Sequence, residues 1–225
     1  MSTLQLQRDN RGCVTYKRKN VVGKQKLAHA PIPELLSDEE LQRLVTRFMT
    51  TVGARIRELR QMQGLSILNI KELHGIHTSQ TSRIETGQQN LTAWTTVKYA
   101  YVLGVRPWDF YVPREDAPSL KPKRHDRPLP PKAELEEETA AFRKQIGKRI
   151  RALRALQGMT MASLCEFSGV ELQLISSIES GKSNFRASTA IRLADAIGVL
   201  PHELYIPREM SGIRPRTDEP GDDDA

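Results

Sequence analysis

Residues 64–87 read G-L-S-I-L-N-I-K-E-L-H-G-I-H-T-S-Q-T-S-R-I-E-T-G, and residues 158–181 read G-M-T-M-A-S-L-C-E-F-S-G-V-E-L-Q-L-I-S-S-I-E-S-G. Both stretches are bounded by glycine and interrupted by a third glycine at the same place, Gly75 in one and Gly169 in the other. Ser66 and Thr160 are residues of the helix N-cap type, set just ahead of a short apolar run. The inner glycine suits a tight turn with positive φ. Each stretch then predicts a short helix, a turn, and a second short helix that closes on Ile-Glu and a glycine.

The agreement extends well beyond these stretches. A shift of 94 residues aligns V-G-A-R-I-R-E-L-R-Q-M-Q-G (52–64) with I-G-K-R-I-R-A-L-R-A-L-Q-G (146–158), and runs without a gap to Y-V-P-R-E and Y-I-P-R-E. Between 52 and 115, 25 of 64 positions are identical to their counterparts. The chain therefore contains one unit twice, too few repeats for a solenoid, and two complete globular domains are expected.

Ser37-Asp38-Glu39-Glu40 predicts a capping box that opens a helix. Leu41, Leu44, Val45, Phe48, Val52, Ile56 and Leu59 then recur at helical spacing as far as Gly64. Leu135, Phe142, Ile146, Ile150 and Leu153 repeat the same face. A fourth helix carries Val97, Ala100 and Leu103, or Ile191, Ala194 and Ile197, and stops at Gly104 or Gly198. A last turn carries Trp108 and Tyr111, or Leu204 and Tyr205. No stretch of strict alternation competes as a strand. The expected class is all-α: two five-helix domains at 37–115 and 133–211.

These motifs resemble the lambda-repressor/Cro-type (XRE-like) helix-turn-helix family. The resemblance rests on Gly64, Gly75, Ile84, Glu85, Gly87, Ala100, Gly104 and Val105, and again on Gly158, Gly169, Ile178, Glu179, Gly181, Ala194, Gly198 and Val199. It implies a DNA-binding transcriptional regulator, usually a repressor. By resemblance, Thr78, Ser79 and Arg83 occupy base-reading positions and His77 is the helix cap. The resemblance also pairs Arg60 with Glu85, and Arg154 with Glu179, as internal ion pairs across the first and third helices.

The residue chemistry can be read separately. A projecting helix about 10–12 Å across fits a major groove about 12 Å wide. In the first unit that helix spans about 78–86, and Thr78, Ser79, Gln80 and Arg83 can all hydrogen-bond base edges. Gln favours adenine, and Arg favours guanine when bidentate. Ser66, Asn69, Gln88, Gln89 and Asn90 flank it as candidate phosphate ligands. The second unit departs from this pattern, with Glu171, Leu172, Gln173, Leu174 and Ser177 at the equivalent positions. Two leucines beside an acid suggest a protein-contacting surface, whereas Gln173, Ser177, Lys182, Asn184 and Arg186 would support weaker DNA contact.

The chain has 225 residues and a net charge of +7, with a pI of about 9.5. Residues 1–33 are net +6, residues 40–115 net +4, residues 134–209 neutral, and residues 210–225 net −3. This points to an anionic partner, which the resemblance names as double-stranded DNA. Residues 1–36 are expected as a disordered basic arm, with Lys17, Arg18, Lys19, Lys24 and Lys26 placed to meet phosphate. Residues 116–132 hold five prolines and four basic side chains, Lys121, Lys123, Arg124 and Arg127, ahead of Lys132. They are expected as an extended linker reaching about 50 Å at ~3.1 Å per residue, more than one DNA turn of about 34 Å. Residues 212–225 are expected as a disordered acidic tail.

Other classes fare poorly. No apolar run is long enough for a membrane span, and the first ten residues lack the apolar core of a secretion signal. Cys13 and Cys165 are far apart and form no ligand spacing, so a reducing, cytoplasmic setting is expected; the family resemblance implies association with a bacterial nucleoid. His74 and His77 have no companions to complete a metal site. No phosphate loop, nucleophile elbow or dinucleotide fingerprint occurs. The expectation is therefore a non-enzymatic regulator without cofactor, with self-association or a protein partner through the second unit. The rival is a protein-interaction module, an antitoxin or assembly adaptor, that uses the same fold without reading sequence.

Overall fold

The computed structural model describes residues 35–112 and 129–207, together with the backbone of residues 5–8 and 14–17. Helix α1 spans Asp38–Met62, α2 Ile67–His74, α3 Thr78–Glu85 and α4 Ala93–Val102, followed by a 3-10 turn at Pro107–Phe110. Helices α5 (Lys132–Leu156), α6 (Met161–Ser168), α7 (Leu172–Glu179) and α8 (Ala187–Ile197) repeat the order and end in a turn at Pro201–Leu204. Apart from the longer end of α8, every helix and 3-10 turn recurs at the 94-residue interval.

Local chemistry accounts for these boundaries. Ser37 and Glu40 form a reciprocal capping box at the start of α1, and the first turn carries Asp38, Glu39 and Glu40 against the positive end of the helix dipole. Ser66 and Thr160 cap α2 and α6 through the N–H groups of Asn69 and Ser163. Both helices stop where Gly75 and Gly169 take left-handed backbone, φ +64° in each, which a side chain would resist. That turn leaves three residues to reverse the chain into α3 or α7.

One close approach positions these helices. A Cβ at Gly53, in the middle of α1, would lie 2.3 Å from the carbonyl oxygen of Ile84 on α3; at Gly147 it would lie 2.3 Å from that of Ile178. The facing atom is backbone and cannot swing aside, so only glycine lets α1 and α5 lie this near α3 and α7.

The two repeats do not have separate cores. α1 packs on α8 and α4 on α5, and the buried apolar residues of both repeats form one continuous cluster. The rings of Tyr111 and Tyr205, which are equivalent residues, stack at 4.0 Å between centroids and 6° between planes. Phe48 lies 6.2 Å from Tyr111 and 6.0 Å from Tyr205. Asn90 Oδ1 accepts the N–H of Ala187 at 3.2 Å, so the first repeat caps the start of α8, whose own N-cap, Arg186, makes no side-chain cap bond. This differs from the expectation of two independent globular units. The physical reason is the length of α1 and α5. Gly53 sits under α3, while Asp38 and Phe48 farther back along α1 meet Arg192 and Tyr205 of the other repeat.

A second difference lies near the N-terminus. Strands β1 (Gln5–Arg8) and β2 (Val14–Lys17) pair antiparallel with Gln5 opposite Lys17 and Arg8 opposite Val14. The expectation of a disordered arm over 1–36, and of no strand anywhere, fails for these eight residues. Val14, Thr15 and Tyr16 favour extended backbone. Four-residue strands are too short for alternation to stand out. Arg18, Lys19, Lys24 and Lys26 of the basic arm, residues 116–128 of the expected linker and the acidic tail at 212–225 lie outside the described residues.

Gly53→Ala decides the role of the close approach by sign. In an unconstrained helix interior the change would stabilise by about 0.5–1 kcal/mol. Here it is expected to cost about 1–3 kcal/mol in urea unfolding, as overpacking does; a gain in stability would contradict the helix spacing described.

The aromatic stack makes a separate forecast. Burial, partly offset by the hydrogen bond to Thr96, pushes the Tyr111 phenol from 10.0 up to about 12, and burial raises Tyr205 in the same direction. The fold favours the neutral phenol, so its contribution is complete below pH 10 and is lost as pH rises toward about 12, on the order of 2–3 kcal/mol for Tyr111. Stability measured across that window should fall more steeply in the wild type than in Tyr111→Phe. Equal slopes would remove Tyr111 as the cause.

Candidate nucleic-acid interface

Helix α3 buries Thr81, Ile84 and Glu85 and turns the rest of its surface outward. The Thr81 hydroxyl is 2.9 Å from that of Tyr99 on α4, so even its inward polar group is satisfied. Thr78, Ser79 and Arg83 are exposed and Gln80 is half-buried. Exposed Ser82 and Thr86 extend the stripe. They were not among the residues singled out from the sequence, although their spacing from Thr78 and Ser79 follows the helical period. The Thr86 hydroxyl donates to the Ser82 carbonyl at 2.9 Å, which leaves Ser82 the better placed of the two.

An arginine holds this helix in place. Arg60 Nε donates to Glu85 Oε1 at 2.5 Å and Nη2 donates to Glu85 Oε2 at 2.8 Å. Its remaining nitrogen, Nη1, donates to the Leu65 carbonyl at 2.6 Å. One guanidinium thus ties the end of α1 to the turn before α2 and to the last residue of α3. Its hydrogen bonds to Glu85 hold the arginine's pKa above the ordinary value. Arg154 repeats the arrangement with Glu179, at 2.7 and 2.9 Å, and with the Met159 carbonyl at 2.7 Å. Arg60 is buried and Arg154 mostly so, and both spend their guanidinium donors inward.

The flanking candidates divide. Ser66 and Asn69 are engaged with each other: Ser66 Oγ donates to Asn69 Oδ1 at 2.8 Å and accepts the Asn69 N–H at 3.0 Å. Asn90 spends its carbonyl oxygen on α8, which leaves only its amide hydrogens for an anion. The Gln88 and Gln89 N–H groups donate to the Arg83 carbonyl at 2.8 and 3.1 Å, and the Gln88 side chain is exposed while that of Gln89 is half-buried.

The equivalent surface of the second repeat is built on the same frame with other groups. α7 buries Ile175 and Ile178. Glu171, Leu172 and Gln173 are exposed, whereas Leu174 and Ser177, the counterparts of Gln80 and Arg83, are half-buried. Leu172 is 45% exposed, as Leu68 and Leu73 of α2 are also exposed. Lys182, Asn184 and Arg186 are exposed in the segment that follows. Among the described residues no cluster of three His, Cys, Asp or Glu side chains could hold a metal ion, and no helix is long and apolar enough to cross a membrane. His74 is buried, and Cys165 is half-buried.

Residues 150–204 match the helix-turn-helix family model. The matched segment runs from the last turns of α5 to the final 3-10 turn, and so contains α6 and α7 with their connecting glycine. It is about a quarter of the chain and lies wholly within the second repeat. No curated protein and no solved structure matches the chain. A helix-turn-helix of the XRE type suggests a DNA-binding regulator, and the family is usually without enzymatic activity.

Removing one partner from the Arg60–Glu85 pair strands a charge that is 4–8% exposed. Arg60→Met is expected to cost about 3–5 kcal/mol, and Arg154→Met less, because its pair is more open at 7–13%. The double change Arg60→Met with Glu85→Leu should recover part of the loss. Strict additivity in the double-mutant cycle would show that the two groups do not interact.

Proposed function

We propose that the chain is a sequence-specific DNA-binding transcriptional regulator that acts by occupying operator DNA, as a repressor in the simplest case, and that both repeats are helix-turn-helix units. The observation that carries this reading is the exposed polar stripe on α3, presented by a helix whose inner face and last residue are locked to the body. The family match at 150–204 supports it through the second repeat; the 94-residue correspondence of elements and of the Arg–Glu pair extends it to the first. In this reading Thr78, Ser79, Gln80 and Arg83 face base edges in the major groove, with Arg83 suited to guanine. In the same reading Gln88 and the amide hydrogens of Asn90 would supply backbone contacts that position the helix. No chemical step is involved, and the partner is the duplex itself.

One observation favours a second reading for the second repeat. Exposed Leu172 beside Glu171 is better suited to a protein than to a phosphate backbone. A protein-interaction module there, with DNA contact by the first repeat alone, is the alternative.

Arg83→Ala separates base reading from general attraction. Affinity for a duplex selected from a random pool should fall about 5- to 150-fold, the worth of one good bidentate contact. Affinity for random duplex should fall far less, since it rests on phosphate charge. The matching change Ser177→Ala should do less on the selected duplex. Equal losses on both duplexes for Arg83→Ala would reject its base-reading role.

A further inference from the structure

We infer that one chain, acting as a monomer, recognises a bipartite and non-palindromic duplex site whose two halves sit at one fixed spacing. This rests on the DNA-binding reading above and adds the form of the target.

The first support is rigidity. Two units on an extended linker would tolerate many separations between their half-sites. Here the units share a core, and the Tyr111–Tyr205 stack lies within it. The segments that leave α3 and α7 are themselves joined, because Asn90, five residues past Glu85, accepts the N–H of Ala187, eight residues past Glu179. The ends of the two outward-facing helices are therefore tied to each other through a short hydrogen-bonded path. Their separation is a property of the fold, whatever the length of residues 113–128.

The second support is the difference between the outward surfaces. Thr78 is replaced by Leu172, Ser79 by Gln173 and Arg83 by Ser177 at equivalent positions. The first set offers hydroxyls and a guanidinium fork, suited to a guanine. The second shares the exposed serine (Ser82 and Ser176) but offers an exposed aliphatic group suited to a thymine methyl, an amide suited to adenine, and no cation on the helix. A symmetric operator presents the same edges twice and would satisfy only one of these surfaces. The faces of α1, α4, α5 and α8 that meet between the repeats are already occupied within the chain. No second copy is required to supply a partner for either helix.

The test is selection from a random duplex pool with the full wild-type chain, followed by measurement of stoichiometry and affinity on altered versions of the selected duplex. The expected product is one composite motif with unlike halves, bound by one chain per duplex. Inserting about five base pairs, half of a 10–10.5 bp turn, between the halves should lower affinity at least about tenfold, to that of a single half. Duplexes carrying either half twice should bind no better than that single half. Arg83→Ala should erase preference in one half only, and Gln173→Ala or Leu172→Ala in the other only; these exposed side chains leave the core intact. A motif confined to one half, a palindrome bound by two chains, or undiminished binding after the insertion would overturn the inference while DNA reading stands. Failure to bind any duplex would instead remove the DNA-binding reading, and this inference with it.

Discussion

The contact on which the structure turns is the guanidinium of Arg60 against Glu85 and the Leu65 carbonyl, repeated by Arg154 against Glu179 and the Met159 carbonyl. A buried ion pair is weak evidence for stability, since desolvating both charges consumes most of their attraction. Its geometric content is large, however. The planar fork reaches two carboxylate oxygens and one carbonyl at once, and such bidentate pairing fixes direction as well as distance. Three segments of chain meet at that point: the end of α1, the entry to α2 and the end of α3. The close approach of Gly53 to the Ile84 carbonyl lies one residue away from Glu85. Helix α3 is held at its last two residues by a hydrogen-bonded fork and by backbone contact, and its exposed residues take no part in either.

That frame is incomplete without the other repeat. The first part of α1 carries Leu41 and Phe48, and the first part of α5 carries Leu135 and Phe142. Leu41, Leu135 and Phe142 are buried, and half-buried Phe48 lies against Tyr111 of its own repeat and Tyr205 of the other. Buried aromatic rings account for about 150–250 Å² each, which at about 25 cal/mol per Å² makes their exposure unfavourable by several kcal/mol. Separate molecules would cover them only against the loss of translational and rotational freedom, about 4–15 kcal/mol. Tethering both repeats in one chain removes most of that loss. The Tyr111–Tyr205 stack joins equivalent residues, as an interface between like subunits does.

Helix positions, caps and the glycine turns were legible because they depend on neighbours in sequence. Ser37, Ser66 and Thr160 cap the helices they precede, and Gly75 and Gly169 take positive φ where a short helix must stop. The pairing of Arg60 with Glu85 came from the family resemblance, since a separation of 25 residues carries no local signal. Gly53 and Gly147 stood in plain view as identical residues in both repeats, yet a glycine inside a helix reads as a mild local weakness until the facing backbone is known. The shared core was invisible for a related reason. The apolar spacing along α1 is continuous, and nothing in its period marks where one partner ends and the other begins. The hairpin at 5–8 and 14–17 falls below the length at which alternation can be separated from chance.

Comparison of the two repeats separates what the fold requires from what it leaves free. Glycine at 53 and 147, arginine at 60 and 154, glutamate at 85 and 179, and tyrosine at 111 and 205 are identical across the repeats. Each of these is buried or in close contact, where a change is expected to cost about 1–5 kcal/mol through overpacking or a stranded charge. Thr78 and Leu172 differ in polarity and Arg83 and Ser177 in charge and size, yet exposed positions of this kind are usually worth less than about 0.5 kcal/mol to the fold. The family match at 150–204 falls on the repeat whose α7 surface offers fewer hydrogen-bonding groups. A match of that kind registers the turn glycine, the closing Ile-Glu and the core spacing, which belong to the frame. What a duplex would meet is decided by the other residues, and those have to be argued side chain by side chain.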